Sequence, residues 1–284
     1  MRNTCIALLS DFGHRDVYVG VMKGVITRIA PHVRLIDLTH EVPPGDVRHA
    51  AFRLWQAFSF LPEGTIFLAV VDPGVGTSRR PVAIQCTRFS CVGPDNGVFT
   101  YLIQGQSSAR AVEISRHEEL LKGAERATSS TFHGRDVFAP AAGLLAVGTD
   151  LSKLGPEANN LVKVSLPRLV HSDGETFVRG EALFADRFGN MATSIGALIP
   201  TGDTMRLEPW LPGCPKLTFP APRARVRLGG GMELPLSRTF AEVRAGEPLA
   251  YIGSDRLLEI GVNQGSAVDA LSLTSGTDVI LTWR

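Results

Sequence analysis

The stretch Ala69-Val-Val-Asp-Pro-Gly-Val-Gly-Thr-Ser-Arg-Arg80 carries the strongest chemical signal in the chain. An apolar run rich in β-branched residues, Thr65 to Val71, stops at Asp72, breaks on Pro73, Gly74 and Gly76, and delivers Arg79 and Arg80. In an open α/β sheet, ligands bind in the crevice beyond the carboxyl ends of the strands. A carboxylate at that edge can orient a nucleophile, and a guanidinium close behind it lowers the cost of negative charge on an oxygen. Ser10-Asp11-Phe12-Gly13 closes an earlier strand in the same manner. Thr131-Phe132-His133-Gly134-Arg135-Asp136 supplies a histidine just before a helix, with Phe132 beside it for stacking and Gly134 permitting close backbone approach. The amides that open this helix can face an anion. A histidine taken singly is more often structural; its company is what raises His133.

Other groups carry two readings each. Asp11 either caps the following helix or accepts both hydroxyls of a ribose from its strand tip, and Asp16 shares that ambiguity. Ala185-Asp186-Arg187-Phe188-Gly189-Asn190 is either a tight turn closed by an Asx bond or an adenine-like slot. In the slot, Phe188 stacks and Asn190 offers donor and acceptor to a base edge. Asp11, Asp37, Asp72, His14, His40 and His133 can in principle ring a metal. No His-x-His or His-x-x-x-His pair occurs among them, and Arg79 would place a fixed positive charge beside any metal on Asp72.

The elements that must position these groups alternate through the first half. Strands are expected over Thr4 to Leu9, Val33 to Asp37, Thr65 to Val71 and Pro81 to Cys86, and a helix over Val17 to Ala30. Asp46 can cap a second helix carrying Ala50, Ala51, Leu54 and Phe58, which ends before Pro62. Asp136 to Ala146 reads as the last helix, with Pro140 tolerated near its start. This succession predicts a mostly parallel sheet with helices on its faces. Beyond about residue 165 the chain turns to short strands between Gly, Pro and Asp turns: Phe177 to Leu183, Met205 to Leu207, Arg223 to Leu228, Pro248 to Ile252, Leu257 to Ile260 and Asp278 to Trp283. That pattern suits a small β-barrel or sandwich. The fold class is therefore α/β, with an N-terminal α/β domain over residues 1–165, a linker between Pro156 and Asp173, and a smaller C-terminal β domain over 173–284.

Composition narrows the function classes. The 284 residues are 44% hydrophobic and 20% charged with a formal net charge of +1, an ordinary soluble composition that offers no electrostatic footprint for nucleic acid or an anionic membrane. No apolar run approaches a membrane span, and the N-terminus reads as a first strand rather than a signal peptide. Cys5, Cys86, Cys91 and Cys214 have no Cys-x-x-Cys spacing, which points to buried thiols in a reducing cytoplasm. Asp11-Phe12-Gly13 lacks the catalytic loop and strand lysine of a kinase. Gly74-Val-Gly-Thr-Ser is not closed by Gly-Lys-Ser/Thr, and Gly229-Gly-Gly231 reads as a hairpin tip. No dinucleotide fingerprint follows the first strand, so nucleoside triphosphates and nicotinamide cofactors are unsupported.

Taken together, Ser10-Asp-Phe-Gly13, Asp37-Leu-Thr-His40, Val71-Asp-Pro-Gly-Val-Gly-Thr77, Gly93-Pro-Asp-Asn-Gly97 and Thr131-Phe-His-Gly-Arg-Asp136 resemble the adenosine-forming S-adenosyl-L-methionine hydrolases. These are also called SAM hydroxide adenosyltransferases, relatives of the fluorinase and chlorinase. Asp186-Arg-Phe-Gly-Asn190 and Leu258-Glu-Ile-Gly-Val-Asn-Gln-Gly-Ser266 continue the resemblance in order through the second half. It implies an N-terminal α/β domain, a C-terminal β-barrel, and a homotrimer that holds S-adenosylmethionine between one subunit's N-terminal domain and its neighbour's C-terminal domain. It implies catalytic roles for Asp72, Arg79 and His133, a ribose contact from Asp11, and a place near the methionyl part for Asp16. Asp186 and Asn190 match contacts to the methionine amine and to adenine, and Ser254, Glu259 and Val262 lie where the partner subunit meets methionine and adenine. No cofactor or metal is implied, S-adenosylmethionine being the substrate.

Two departures bear on this. A glycine often found between that serine and the following strand is absent from Ser254-Asp-Arg-Leu-Leu-Glu259. The halogenating relatives carry tyrosine in place of Asp72 and serine in place of Gly134, which favours water over halide. Rival readings are a non-catalytic adenosine or S-adenosylmethionine sensor, a metal-dependent phosphoesterase and, more distantly, a halogenase.

Overall fold

The first strand, β1 (Cys5–Ser10), is buried along its whole length, as expected of a strand covered on both faces. Its side chains alternate between two cores: Ile6 and Leu8 pack with Met22, Ile26 and Phe138, while Ala7 and Leu9 pack with Ala50, Leu54 and Phe67. The next elements along the chain are α1 (Tyr18–Ile29), β2 (Arg34–Thr39), α2 (Val47–Phe58) and β3 (Thr65–Val70), of which α1, α2 and β3 supply all these partners but Phe138. Asp46 caps α2, its Oδ1 accepting from the His49 amide at 2.9 Å. The computed structural model describes residues 5–106, 108–116 and 129–283, so the expected strand residue Thr4 lies outside them. The chain divides into two compact units, residues 1–164 and 165–284. Among the described residues no helix is long and apolar enough to cross a membrane.

The first unit continues with β4 (Pro81–Gln85), β5 (Phe89–Pro94), α3 (Thr100–Ile103) and β6 (Arg110–Glu113), then a π-helical turn (Gly134–Phe138) and α4 (Ala139–Ala146). Its six-stranded sheet runs β2-β1-β3-β5-β4-β6, with β2, β1, β3 and β5 mutually parallel and β4 antiparallel to both its neighbours. Since β1 and β3 are parallel neighbours, the tips that carry Asp11 and Asp72 lie side by side.

Several elements differ from the sequence reading, which also lacks α3 and β6, and two of the differences have a plain physical reason. Strand β5 is absent from it, because Gly93 and Pro94 are poor strand formers; yet a Cβ on Gly93 would stand 2.3 Å from the Ala69 carbonyl, so only glycine allows that approach. The last helix does not begin as a regular α-helix at Asp136. Pro140 has no N–H for the Asp136 carbonyl and its ring would crowd it, and the turn upstream opens so that the Ala139 amide bonds the Gly134 carbonyl.

The second unit contains β7 (Leu169–Val170), β8 (Phe177–Ala185), β9 (Met191–Thr193), β10 (Leu198–Thr201), β11 (Thr204–Leu207), β12 (Leu217–Pro220), β13 (Arg225–Leu228), β14 (Glu233–Ser237), β15 (Pro248–Ile252), β16 (Leu258–Val262), α5 (Ala267–Leu271) and β17 (Asp278–Thr282). Strands β17-β13-β14-β15-β16-β9-β8 form a ring that closes through the antiparallel pairing of β8 with β17. This is a closed seven-stranded barrel. Closure removes the free edges that a sandwich would leave. Strands β10, β11 and β12 form a separate three-stranded sheet. Gly229 to Gly231 form the tip of the β13–β14 hairpin.

Candidate active site

Asp72 stands two residues beyond β3, where the chain turns through Pro73 and Gly74. The turn brings Arg79 back onto it as a fork: Nε donates to Oδ1 at 3.1 Å and Nη2 donates to Oδ2. Nη2 also lies 3.0 Å from Nδ1 of His133. Arg79 therefore bridges the carboxylate and the imidazole, which have no bond to each other among the described residues. Both partners of the ion pair are more than nine-tenths buried, with side-chain exposures of 7% for Arg79 and 6% for Asp72. The Arg79 guanidinium lies over the Phe138 ring, 5.3 Å from its centroid. Nη1 of Arg79 is buried without a hydrogen-bond partner among the described residues.

The electrostatics follow from this burial. Desolvation pushes the Asp72 carboxyl above its ordinary value, and the Arg79 charge holds back part of that rise. Desolvation and the adjacent guanidinium both hold His133 below the ordinary imidazole value, so it is neutral at neutral pH. Asp72 and His133 line a cavity of about 460 Å³ together with Asp11, Phe12, Gly45, Val75, Phe132 and others. Asp11 is fixed there by the Gly45 amide, which donates to its Oδ2 at 2.8 Å. It does not serve as the cap of α1, which has no side-chain cap. Asp16 is exposed and does not line this cavity.

In the second unit the Asx turn is present: Oδ1 of Asp186 accepts from the Phe188 and Asn190 amides at 2.8 and 2.9 Å. Its Oδ2 accepts from Nδ2 of Asn190 at 3.0 Å, so the two expected contact residues hold each other. Phe188 is 70% exposed, with the Arg187 guanidinium 5.8 Å from its ring centroid. Glu259 accepts from the Tyr251 hydroxyl at 2.5 Å across paired positions of β15 and β16. Burial and the Glu259 and Asp186 carboxylates raise the Tyr251 pKa. Ser254 is exposed in the turn between those strands. The Val262 side chain belongs to the barrel core.

The SAM hydroxide adenosyltransferase N-terminal domain matches residues 6–155, and the C-terminal domain of the same family matches residues 180–280. The chain belongs to the SAM hydroxide adenosyltransferase family. A protein of Thermus thermophilus named (R)-S-adenosyl-L-methionine hydrolase is 42% identical over 97% of this chain and 98% of its own. A protein of the same name from Salinispora tropica is 39% identical over 95% of both chains. A fluorinase of an Actinoplanes species is 26% identical over 99% of this chain and 98% of its own. The crystal structure of an uncharacterized conserved protein from Thermotoga maritima superposes with a TM-score of 0.80 at 33% identity, covering 98% of this chain and 99% of that one.

For a SAM hydroxide adenosyltransferase, the residues that sequence reasoning missed are those placed by other parts of the chain. Gly45 reaches the cavity from a loop without a motif of its own, Val75 was passed over as an apolar residue inside the Asp72 motif, and Tyr251 meets Glu259 only through strand register. The metal reading finds no support: no group of three or more His, Cys, Asp or Glu side chains is placed to hold an ion among the described residues. A guanidinium bridges Asp72 and His133, and Asp37 and His40 form a separate pair with Lys23.

Proposed function

We propose that this family member hydrolyses S-adenosyl-L-methionine to adenosine and L-methionine, with Asp72, Arg79 and His133 acting on a water that attacks the ribose C5′. The observation that carries this reading is Arg79 hydrogen-bonded to both Asp72 and Nδ1 of His133 beside a cavity that Asp11 also lines. The leaving group is a neutral thioether and needs no acid. The problem is confined to making and aiming the nucleophile.

In this reading the roles follow from hydrogen-bond direction. A guanidinium only donates, so Nδ1 of His133 accepts from Arg79 and the neutral ring carries its proton on Nε2. His133 is then a donor that orients the water oxygen rather than the group that takes its proton. Asp72 receives donors from Nε and Nη2 of Arg79 and from the Gly74 amide, leaving about one of a carboxylate's four lone-pair positions open. That position takes the water proton as the O–C5′ bond forms and the C5′–S bond breaks, its electron pair going to sulfur; the proton then leaves to solvent. The Arg79 charge, held against both Asp72 and His133, lowers the cost of negative charge developing beside them. A halide would meet the ionised Asp72 instead, and like charges about 4 Å apart repel by about 4 kcal/mol at an effective dielectric of 20. Water suffers no such penalty.

Within the same reading Asp11 holds the ribose. The assembly is a homotrimer in which Asp186, Phe188, Asn190, Ser254, Glu259 and the Val262 backbone of a neighbouring copy meet the methionyl and adenine parts. Asp16 lies near the methionyl end. Light scattering of the purified protein tests the assembly, which a monomer would exclude.

The decisive assay incubates purified protein with S-adenosylmethionine, with and without chelator, and separates the products by liquid chromatography. Equimolar adenosine and methionine, unchanged by chelator, is the expected result. Intact substrate with tight binding would replace this reading with a sensor, and chelator-abolished turnover with a metal enzyme. The pH profile adds a second check. Protonating either Asp72 or Nδ1 of His133 breaks the bridge through Arg79, so kcat falls as pH drops. With burial raising the Asp72 carboxyl above its ordinary value and holding His133 below the ordinary imidazole value, the acid limb belongs to the coupled pair rather than to either group alone. A limb at or above neutrality would contradict the assignment.

A further inference from the structure

Asp37-Leu-Thr-His40 takes no part in the chemistry above, yet it is wired to the cavity wall. Nε2 of His40 lies 3.1 Å from Oδ1 of Asp37, whose Oδ2 accepts from Lys23 Nζ at 2.5 Å. A carboxylate only accepts, so the His40 proton is on Nε2 and Nδ1 is an acceptor. Burial holds the ring pKa below the ordinary value, in keeping with a neutral imidazole. Nδ1 then accepts the Ser10 hydroxyl at 2.7 Å, and the Ser10 oxygen accepts the Phe12 amide at 3.3 Å. The His40 carbonyl accepts the Gly13 amide at 2.7 Å, where Gly13 turns the chain at φ 67°. Ser10 and His40 are each 1% exposed. Asp11 and Phe12, both lining the cavity, are thus held between two main-chain amides that end, directly or through Ser10, on His40.

We propose that His40 is a positioning residue for the Asp11–Phe12 wall, acting through Ser10, with Asp37 and Lys23 setting its tautomer. The ligand in this proposal rests on the hydrolase reading; the relay does not. A wall that contacts bound nucleoside in ground and transition states alike should govern KM more than kcat.

Two isosteres separate positioning from mere structural support. In His40→Asn the carboxamide oxygen stands where Nδ1 stood and still accepts from Ser10, but nothing reaches Asp37. In His40→Gln the carboxamide nitrogen stands where Nε2 stood and donates to Asp37, but Ser10 loses its acceptor. Expected are a roughly tenfold rise in KM and a matching loss of adenosine affinity by calorimetry for His40→Gln and Ser10→Ala, with kcat within about threefold. His40→Asn should stay within about threefold of the parent in both. Equal losses in His40→Asn and His40→Gln, or a lower melting temperature with KM unchanged, would overturn the proposal. If the parent protein releases no adenosine, the hydrolase reading fails by itself. The relay is then read by 15N NMR of labelled histidine: an Nε2–H tautomer for His40 supports it, and an Nδ1–H or doubly protonated ring overturns it.

Discussion

Arg79→Ala is expected to lower kcat by about two to four orders of magnitude while adenosine still binds. The substitution removes the only groups among the described residues that hydrogen-bond the Asp72 side chain from another side chain, and it frees Nδ1 of His133. A carboxyl 6% exposed and stripped of its counter-charge is pushed further above its ordinary value by desolvation, and a protonated Asp72 is no longer a base. Freed from Arg79, the His133 ring can adopt either tautomer, so its donor is no longer aimed. The cavity lining does not include Arg79, which is why adenosine affinity should survive. Arg79→Lys should recover little, because an ammonium is a point charge without the planar fork that engages two acceptors at once. Steady-state kinetics with calorimetry on the same preparations checks this. A kcat within threefold of the parent in Arg79→Ala would remove Arg79 from the chemistry. Leaving a buried charge unpaired also costs about 3–5 kcal/mol, reduced to the extent that Asp72 neutralises, so a lower melting temperature is expected alongside.

The second large effect is expected at Gly76, where the Asp72 loop touches the segment leading to His133. Gly76 has φ 78°, and a Cβ there would stand 2.8 Å from the Ser130 carbonyl oxygen. Gly76→Ala therefore strains the backbone by roughly 1–2 kcal/mol and also forces the two loops apart. The contact that must stretch is Arg79 Nη2 to His133 Nδ1, now 3.0 Å. Displacements of about 1 Å in a reacting constellation cost on the order of a hundredfold, which is the fall in kcat expected here. Gly64→Ala is the control. Gly64 has φ 82° with no atom near a built Cβ, and it lies just before β3, at the end of the strand opposite Asp72. It should lose stability without losing kcat. Similar kcat losses in both variants would show that backbone strain, not loop separation, is responsible.

Most of what was legible in advance is local along the chain. Asp46 ahead of an amphipathic run announces the α2 cap, and apolar runs ending in Asp11 and Asp72 announce strand tips, because capping and strand propensity act over a few neighbours. Those signals determine that the first half alternates strands and helices, that the second half is β, and that carboxylates sit where ligands bind in such sheets. The tertiary structure decides the rest. Arg79 and His133 lie 54 residues apart, and Ser10 and His40 lie 30 apart. Ser10 meets His40 because β1 and β2 are parallel neighbours, and Arg79 meets His133 because glycine at position 76 lets the Asp72 loop approach Ser130 where a Cβ would collide. Tyr251 finds Glu259 through register, and the barrel closes through β8 and β17 at opposite ends of the second unit. Each of these depends on which strands pair and how they align, a choice made by burying both faces of the whole sheet at once. A residue's near neighbours carry no record of that choice.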